Sequence, residues 1–587
     1  MSISPRPAPH FSRFTFHTFL LLLGIAARLP AQDSVIVIDP DAPPVDTVLR
    51  GGPPPDVVAD LVAFYNDSET TRMQGDVSLP PDSRFEGRLA QYRGALRIAG
   101  RVSGPIAVAN GTLYLLPGAV VDGDILVVGG RMIRSPNARH EGAERVYWDA
   151  APVLRNTEGL LVLRERRRPL SELATARTSF QTGKVRTTLA LGTGGTYNRI
   201  EGLPIVFGPM FELHPTRGSV ARLDLRGILR TASGGSQLSS DFGYNLRLEL
   251  KTAVAGITGR VYSETSSIED QPLSPTENGW SAFLLQRDYH DYFERQGGGV
   301  AAWVQPVRPL RFEISLRRDG EHSVRATDPW SLLRNSDRWR RNPLIDDGAY
   351  FTTGLALDFD TRNDREVPST GWFLRARFEH STSDNVAPVT LPEVIRPEPP
   401  LLGGYAFDRL ALDLRRYSRL TPSLRVNARL RADGWVGGDR LSVQRRVSLG
   451  GPDLMPGYDF RAFTCAPKGF NDPSDPALCD RMIAAQVEVR TRLGLNLGHR
   501  FRDREGGPNG RFIGIEEADL VLLGDAGKAW LAGNGPSQVP VNRIPSLDEW
   551  KWDVGVGIDA GQIGAYLVKA LTDAEPVKFV VRLQRRF

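Results

Sequence analysis

The chain has 587 residues, too many for one small domain, with 24% charged and 41% hydrophobic residues and a mean hydropathy of -0.26. Apart from the N-terminus there is no run of about 18 apolar residues, which argues against a helical membrane protein; a barrel still crosses lipid with this composition, because only alternate strand residues face hydrocarbon. Net charge is +5, but the arginines are scattered over alternating positions rather than gathered in one run, so a polar barrel lining accounts for them and no nucleic-acid partner is expected.

Residues 1–31 read as a secretory signal peptide. Arg6, His10 and Arg13 precede an apolar stretch from Phe14 to Ala27, and Leu29-Pro30-Ala31 offers a small-residue cleavage site before Gln32. The alternative is an uncleaved anchor, but the apolar run is short and no stop-transfer pattern follows. Residues 32–55 hold DPDAPP and GGPPP, the composition of an extended linker. Asp56 is placed to N-cap a short helix with Val57, Leu61, Phe64 and Tyr65 on one side.

From 86 to 135 glycine recurs at 87, 94, 100, 104, 111, 118, 123 and 129, with short apolar runs between. Short strands punctuated by glycine suit the corners of a solenoid in which each coil stacks on the last. The stretch resembles the bactofilin-like polymer-forming repeat over two or three coils; a meander of hairpins is the alternative. Residues 56–150 are therefore expected to form a periplasmic β-solenoid-like domain. Residues 151–183 read as a linker carrying the basic run Arg164–Arg168.

Residues 184–587 carry repeated amphipathic strands. Leu310, Phe312, Ile314 and Leu316 alternate with Arg311, Glu313, Ser315 and Arg317, and the pattern returns at Trp372–Glu379, Leu410–Arg415 and Leu424–Arg431. The alternation persists for about 9–11 residues, the length a tilted strand needs to cross a bilayer. Some 400 residues at roughly 25 per strand and connection make about 16 strands. The expected fold is all-β: a transmembrane antiparallel β-barrel with a small N-terminal solenoid, a soluble all-β domain being the alternative. The last strand is read as running to the final residue, with Phe579, Val581, Leu583 and Phe587 on its apolar face, and as pairing with the first strand to close the sheet. Cys465 and Cys479 are the only cysteines and lie in one Pro/Asp/Gly-rich segment. In an exported protein they predict a disulfide closing a surface loop, with two free thiols as the alternative.

The segment Ser448–Phe463, SLGGPDLMPGYDFRAF, lies in a long insertion between two strands. It resembles the lumen-inserted loop of the BamA-like (bacterial surface antigen) superfamily of outer-membrane assembly and secretion barrels. Leu449, Gly450 and Gly451 match the start of that motif, and Gly457 and Tyr458 match its end. Pro456 stands where the family has an arginine that meets an acidic strand; the matching strand here is LGDAGKAW, with Asp525 and Gly527 in the family places. Arg461 is the nearest candidate to replace the missing charge. The resemblance extends to the hairpin with Asp360, Arg362, Asn363, Asp364, Pro368 and Gly371, and to the opening hairpin through Asn198, Arg199, Glu201 and Gly202. The family's usual POTRA modules do not match the solenoid-like N-terminus.

No G-x-S-x-G elbow or P-loop is present. The cluster around Asp288, His290, Asp291 and Glu294 reads as a solvated loop or aromatic girdle, so no catalytic, cofactor-binding or metal-binding residues are expected and the chain is not read as an enzyme. The resemblance implies an outer-membrane barrel that aids insertion or export of proteins, or moves lipid. Its expected partners are outer-membrane lipid and unfolded outer-membrane or secreted proteins. The rival readings are a barrel anchoring a self-associating solenoid scaffold, and a passive pore.

Overall fold

The computed structural model describes residues 55–147 and, apart from short connections, 151–163 and 175–587; the longest connections outside the described residues are 233–241, 390–403, 466–476 and 501–511. The signal peptide, nearly all of the Pro/Gly-rich linker and the basic run Arg164–Arg168 lie outside the described residues.

Helix α1 spans Pro55–Asn66. Proline opens it because its fixed φ suits the first helical position and its missing N–H is not needed there. Asp56 thus lies in the first turn rather than capping the helix. Val57, Leu61 and Tyr65 are buried, with Phe64 half-buried, against Ala90, Tyr92, Ala107, Leu126 and Val128.

That apolar face belongs to a solenoid of two all-parallel sheets. One has seven strands, including Thr70–Gln74, Arg88–Ile98, Ile106–Leu115, Ile125–Val128 and Glu144–Tyr147, and the other has four. More coils are present than the sequence pattern predicts, because those outside 86–135 keep the stacking with fewer glycines. Each coil sets its apolar residues on the last: Leu89 pairs with Ile106 and Ile106 with Ile125, all three buried. The glycine rhythm has a steric cause. Gly104 has φ +147, and a Cβ there would lie 2.1 Å from the carbonyl oxygen of Gly87 in the coil beneath. Only glycine lets adjacent coils approach so closely at that corner.

Part of the expected linker 151–183 is instead β-structure, a hairpin of Val153–Arg155 with Leu161–Leu163 and the strand Thr175–Thr182. Apart from that hairpin and a second pair, Leu497–Arg500 with Phe512–Ile515, the strands after the solenoid form one antiparallel sheet of 17. In chain order these are β1 (Thr175–Thr182), β2 (Val185–Thr193), β3 (Ile205–Leu213), β4 (Val220–Leu229), β5 (Phe242–Lys251), β6 (Ala255–Ser267), β7 (Tyr292–Val307), β8 (Leu310–Ser323), β9 (Asp347–Asp360), β10 (Gly371–Ala387), β11 (Tyr405–Arg419), β12 (Leu424–Gly438), β13 (Arg481–Leu493), β14 (Ala518–Trp530), β15 (Lys551–Ala560), β16 (Ile563–Ala570) and β17 (Lys578–Arg582). A second helix, α2 (Pro275–Leu285), follows β6, and the Ser274 side chain accepts from the Glu277 N–H at its start.

The sheet curls round a polar interior. Leu246, Leu248, Phe312, Ile314, Leu316, Val556 and Ile558 are exposed on its outside, while ion pairs such as Arg230–Glu294 and Arg582–Glu277 are buried inside. An apolar belt this extensive on a folded chain is the lipid-facing surface of a transmembrane barrel. Short turns such as 183–184, 308–309 and 420–423 lie at one end, and long connections such as 268–291 and 439–480 at the other. The solenoid sits at the short-turn end, where Gly94, Gly111 and Gly130 share a cleft with Thr421, Ser423 and Arg492.

Two details differ from the reading of the sequence. The last strand stops at Arg582, so Phe587 does not continue its outer face. Phe579 and Val581 are exposed, Leu583 is half-buried and Phe587 is buried. The ladder also begins one strand earlier than a 16-strand plan, at β1. Because β2 pairs with both β1 and β3, its edge is not free to receive β17. Sixteen antiparallel steps separate β1 from β17, an even number, so the two run the same way, and among the described residues no rung joins them.

Candidate functional site: the lumen loop, the acidic wall and the C-terminal tail

Of the connection between β12 and β13, the described residues 439–465 and 477–480 fold into the barrel. Antiparallel bridges pair Val447 with Cys479, Leu449 with Phe463 and Gly451 with Met455, and Cys465 and Cys479 form a disulfide. Leu449, Met455 and Tyr458 are buried in one apolar cluster with Met482, Ala484, Ala529 and Ala570 of the wall. Gly450 and Gly451 carry φ of +115 and +110. These conformations turn the loop back on itself.

The tip of the loop meets β15. The Gly457 N–H donates to Asp553 Oδ2 at 2.8 Å, and the Tyr458 hydroxyl donates to the Trp552 carbonyl at 3.1 Å. A Cβ at Gly457 would lie 2.6 Å from Asp553 Cβ and 3.0 Å from the Ala570 nitrogen, so a side chain there displaces the loop. Gly527 performs the same service on β14, where a Cβ would lie 2.7 Å from Leu449 Cδ2. Pro456 contributes no charge. Lys578 Nζ holds Asp459, three residues further along the loop, at 2.6 Å.

Asp525 and Asp553 are directly opposite one another on β14 and β15, and both are buried. Their counter-charge comes from the end of the chain. Arg586 Nη2 lies 2.6 Å from Asp525 Oδ2, and its Nη1 lies 3.6 Å from Glu488. Arg585 lies 3.6 Å from Asp519, and Arg490 bridges Glu488 and Asp559. Arg582 pairs with Glu277 at 3.0 Å and Asp453 at 3.4 Å, and also donates to the Pro452 carbonyl. Glu277 Oε1 further accepts from the Leu583 and Gln584 N–H groups. After β17 the tail is thus drawn inward by a chain of carboxylates. Low dielectric makes such pairs strong once formed and costly to break.

Arg461, the candidate for the missing loop charge, does not reach Asp525. It pairs with Asp291. Asp291 belongs to a second buried network at the long-connection end. Arg199 pairs with Asp288 at 3.2 Å and with Asp291, and Arg340 lies 2.6 Å from Asp291. Arg230 joins Glu201 at 3.2 Å to Glu294 at 3.4 Å. Burial alone would raise the Asp291 carboxyl, but Arg340, Arg461 and Arg199 outweigh it and hold the group well below the usual carboxylate range. The Asp288–Glu294 cluster is therefore neither solvated nor a girdle, and His290 is buried. A linear sequence does not reveal this, because the arginines that desolvate and neutralise the cluster come from distant segments.

The opening hairpin feeds this network through Arg199 and Glu201, with Asn198 and Gly202 exchanging backbone hydrogen bonds of 2.9 Å. The other hairpin serves as a turn at the opposite end: Arg362 Nε lies 2.9 Å from Asp360, Asn363 Oδ1 accepts from the Ser369 and Thr370 N–H groups, and Gly371 has φ +111. Asp364 lies outside the described residues.

No family model matches the chain, and no curated protein matches it. Among solved structures it is similar to BamA from Haemophilus ducreyi lacking POTRA domains 1–3, at 11% identity over 73% of this chain and 80% of that one, with a TM-score of 0.38. It is also similar to CdiB from Acinetobacter baumannii, at 11% identity over 70% of this chain and 64% of that one, with a TM-score of 0.30. CdiB from Escherichia coli aligns at 10% identity over 69% of this chain and 62% of that one, also with a TM-score of 0.30. The chain spans less than two thirds of either CdiB.

Proposed function

We propose that the chain is an outer-membrane barrel, exported with removal of residues 1–31, that assists the insertion or export of other proteins by non-enzymatic means. The observation that carries this reading is the state of the two wall ends. β17 is five residues long, its tail is pulled into the lumen, and no rung joins it to β1 among the described residues. Short, weakly paired strand ends in lipid are a natural place for an incoming strand to add. The loop braced on Asp553 keeps the lumen wall in shape while the ends exchange partners. Unfolded outer-membrane or secreted proteins are the partners this reading requires, with lipid surrounding the belt.

The test is reconstitution. Liposomes holding the purified chain should speed the folding of an added unfolded small barrel, scored by its gel shift without heating. A folding rate equal to that in empty liposomes would remove the reading.

A second reading is favoured by the solenoid. Its outer strands Thr70–Gln74 and Glu144–Tyr147 each pair on one side only among the described residues. End-to-end stacking of two copies would make the barrel an anchor for a polymer. Sedimentation of the detergent-solubilised protein with and without residues 70–147 distinguishes the two, since only the anchor reading needs oligomers that vanish with the solenoid.

A further inference from the structure

The two sides of the lumen are treated differently. The acidic wall at Glu488, Asp519, Asp525 and Asp559 is met by the chain's own arginines from the tail and the strands, and Asp553 by the Gly457 N–H. The opposite wall, from β6 to β12, borders a cavity of about 900 Å³. Ten arginines and five carboxylates are among the residues lining it. Three further carboxylates, Glu264, Asp319 and Glu321, grip some of these arginines from beside the cavity, and the balance remains positive.

Arg377 is the centre of that excess. Its direct cross-strand neighbours are Ala356 on β9 and Ala411 on β11, and the carboxylates of that row, Glu313 and Asp433, lie one strand further out on each side. Arg377 is exposed to the cavity and forms no ion pair or hydrogen bond through its side chain among the described residues. In the next row the charges alternate: Arg311, Asp358, Arg375, Asp413 and Arg431 lie side by side. Arg431 is buried, yet its Nη1 has no hydrogen-bond partner among the described residues, and the same is true of Arg295 Nε, also on the lining. Buried charged donors of this kind are costly unless an acceptor reaches them. Guanidinium is the group that best matches the paired oxygens of a phosphate.

We infer that this cavity is a binding site for a ligand bearing clustered phosphate groups, seated on Arg377 with Arg431 and Arg295 as further donors. Alanine rather than acid on both sides of Arg377 leaves its donors and the adjoining space to the ligand. The site does not depend on whether the barrel inserts proteins.

The test titrates the full-length protein in detergent at low salt, by calorimetry, with tripolyphosphate in one arm and with micelles carrying the two-phosphate lipid cardiolipin, against phosphatidylcholine, in the other. Saturable binding in the first arm identifies a soluble polyanion, and in the second an anionic headgroup; either supports the site. Arg377→Ser should weaken binding about tenfold, the equivalent of one charged hydrogen bond, and Arg377→Glu should abolish it. Ala411→Asp, which supplies the missing carboxylate without touching an arginine, should weaken it as well, with folding checked by the gel shift. Absence of binding in both arms, or unchanged affinity in the folded Ala411→Asp protein, overturns the inference.

Discussion

Arg586, the penultimate residue, lies 2.6 Å from Asp525, and both side chains are almost wholly buried. The acidic wall strand is therefore neutralised from the chain terminus, and the loop tip instead uses a backbone N–H on the neighbouring Asp553. Two segments about 130 residues apart in sequence (from Gly457 to Arg586) share one pair of facing carboxylates.

Arg586→Ala leaves Asp525 and Glu488 without this partner inside the barrel. Breaking a buried pair from one side costs about 3–5 kcal/mol. The temperature at which the barrel loses its compact gel mobility should fall well below that of the native chain. The double variant Arg586→Gln with Asp525→Asn should recover part of the loss, since neither charge is then stranded. A single variant as heat-stable as the native protein contradicts the tail assignment.

Gly457→Val places branched carbon where Asp553 and the Ala570 backbone already are. Overpacking of this kind costs about 1–3 kcal/mol. The loop should lift from β15, seen as faster proteolysis within residues 439–480 while the barrel core stays resistant. Protection equal to the native loop counts against the close approach.

Cys465 and Cys479 are bridged across a separation of 14 residues. Closing so short a loop contributes roughly 3 kcal/mol against the unfolded chain. A thiol reagent applied without reductant should label neither cysteine, and reduction should lower the unfolding midpoint. Labelling of the folded, unreduced protein would show free thiols.

In the solenoid His140 Nδ1 lies 2.8 Å from Glu144, and its Nε2 lies 2.8 Å from the Gly123 carbonyl. The hydrogen bond to Glu144 raises the imidazole above its ordinary value, against the opposing effect of burial, and the same bond lowers the Glu144 carboxyl. A raised histidine contributes stability that is complete below its unfolded value of about 6.5 and is lost as pH climbs through the folded value. A lowered glutamate contributes above its unfolded value of about 4.3 and loses that contribution in acid. The last coil should therefore be best protected from hydrogen exchange between these limits and exchange faster, after correction for intrinsic rates, as pH rises past about 7. His140→Gln should flatten that rise; an equal slope in both proteins would dismiss the pair as its source.

Much of the barrel is legible in the chain because its signal is local. Period-two alternation at Leu310–Arg317 follows from strand geometry alone, and the structure turns Phe312, Ile314 and Leu316 outward. The glycine rhythm of the solenoid is equally local, since each coil repeats the same corner over the last. The lumen loop is readable from Leu449, Gly450, Gly451, Gly457 and Tyr458, whose size and backbone freedom are what its turns and its contact with β15 demand.

What only the tertiary structure decided are the long-range partners. Arg582 and Glu277 are 305 residues apart, and Arg461 meets Asp291 rather than Asp525. The charges inside a barrel choose among many opposite charges by proximity across the lumen, which no local pattern encodes. For the same reason the alternation through Phe587 reads as strand, while the carboxylates of Glu277 and Asp525 draw those residues inward. The apolar outer faces follow from the sequence itself, because side-chain direction is set by the backbone two residues at a time. The inner pairings arise only once the sheet curls and brings its walls together.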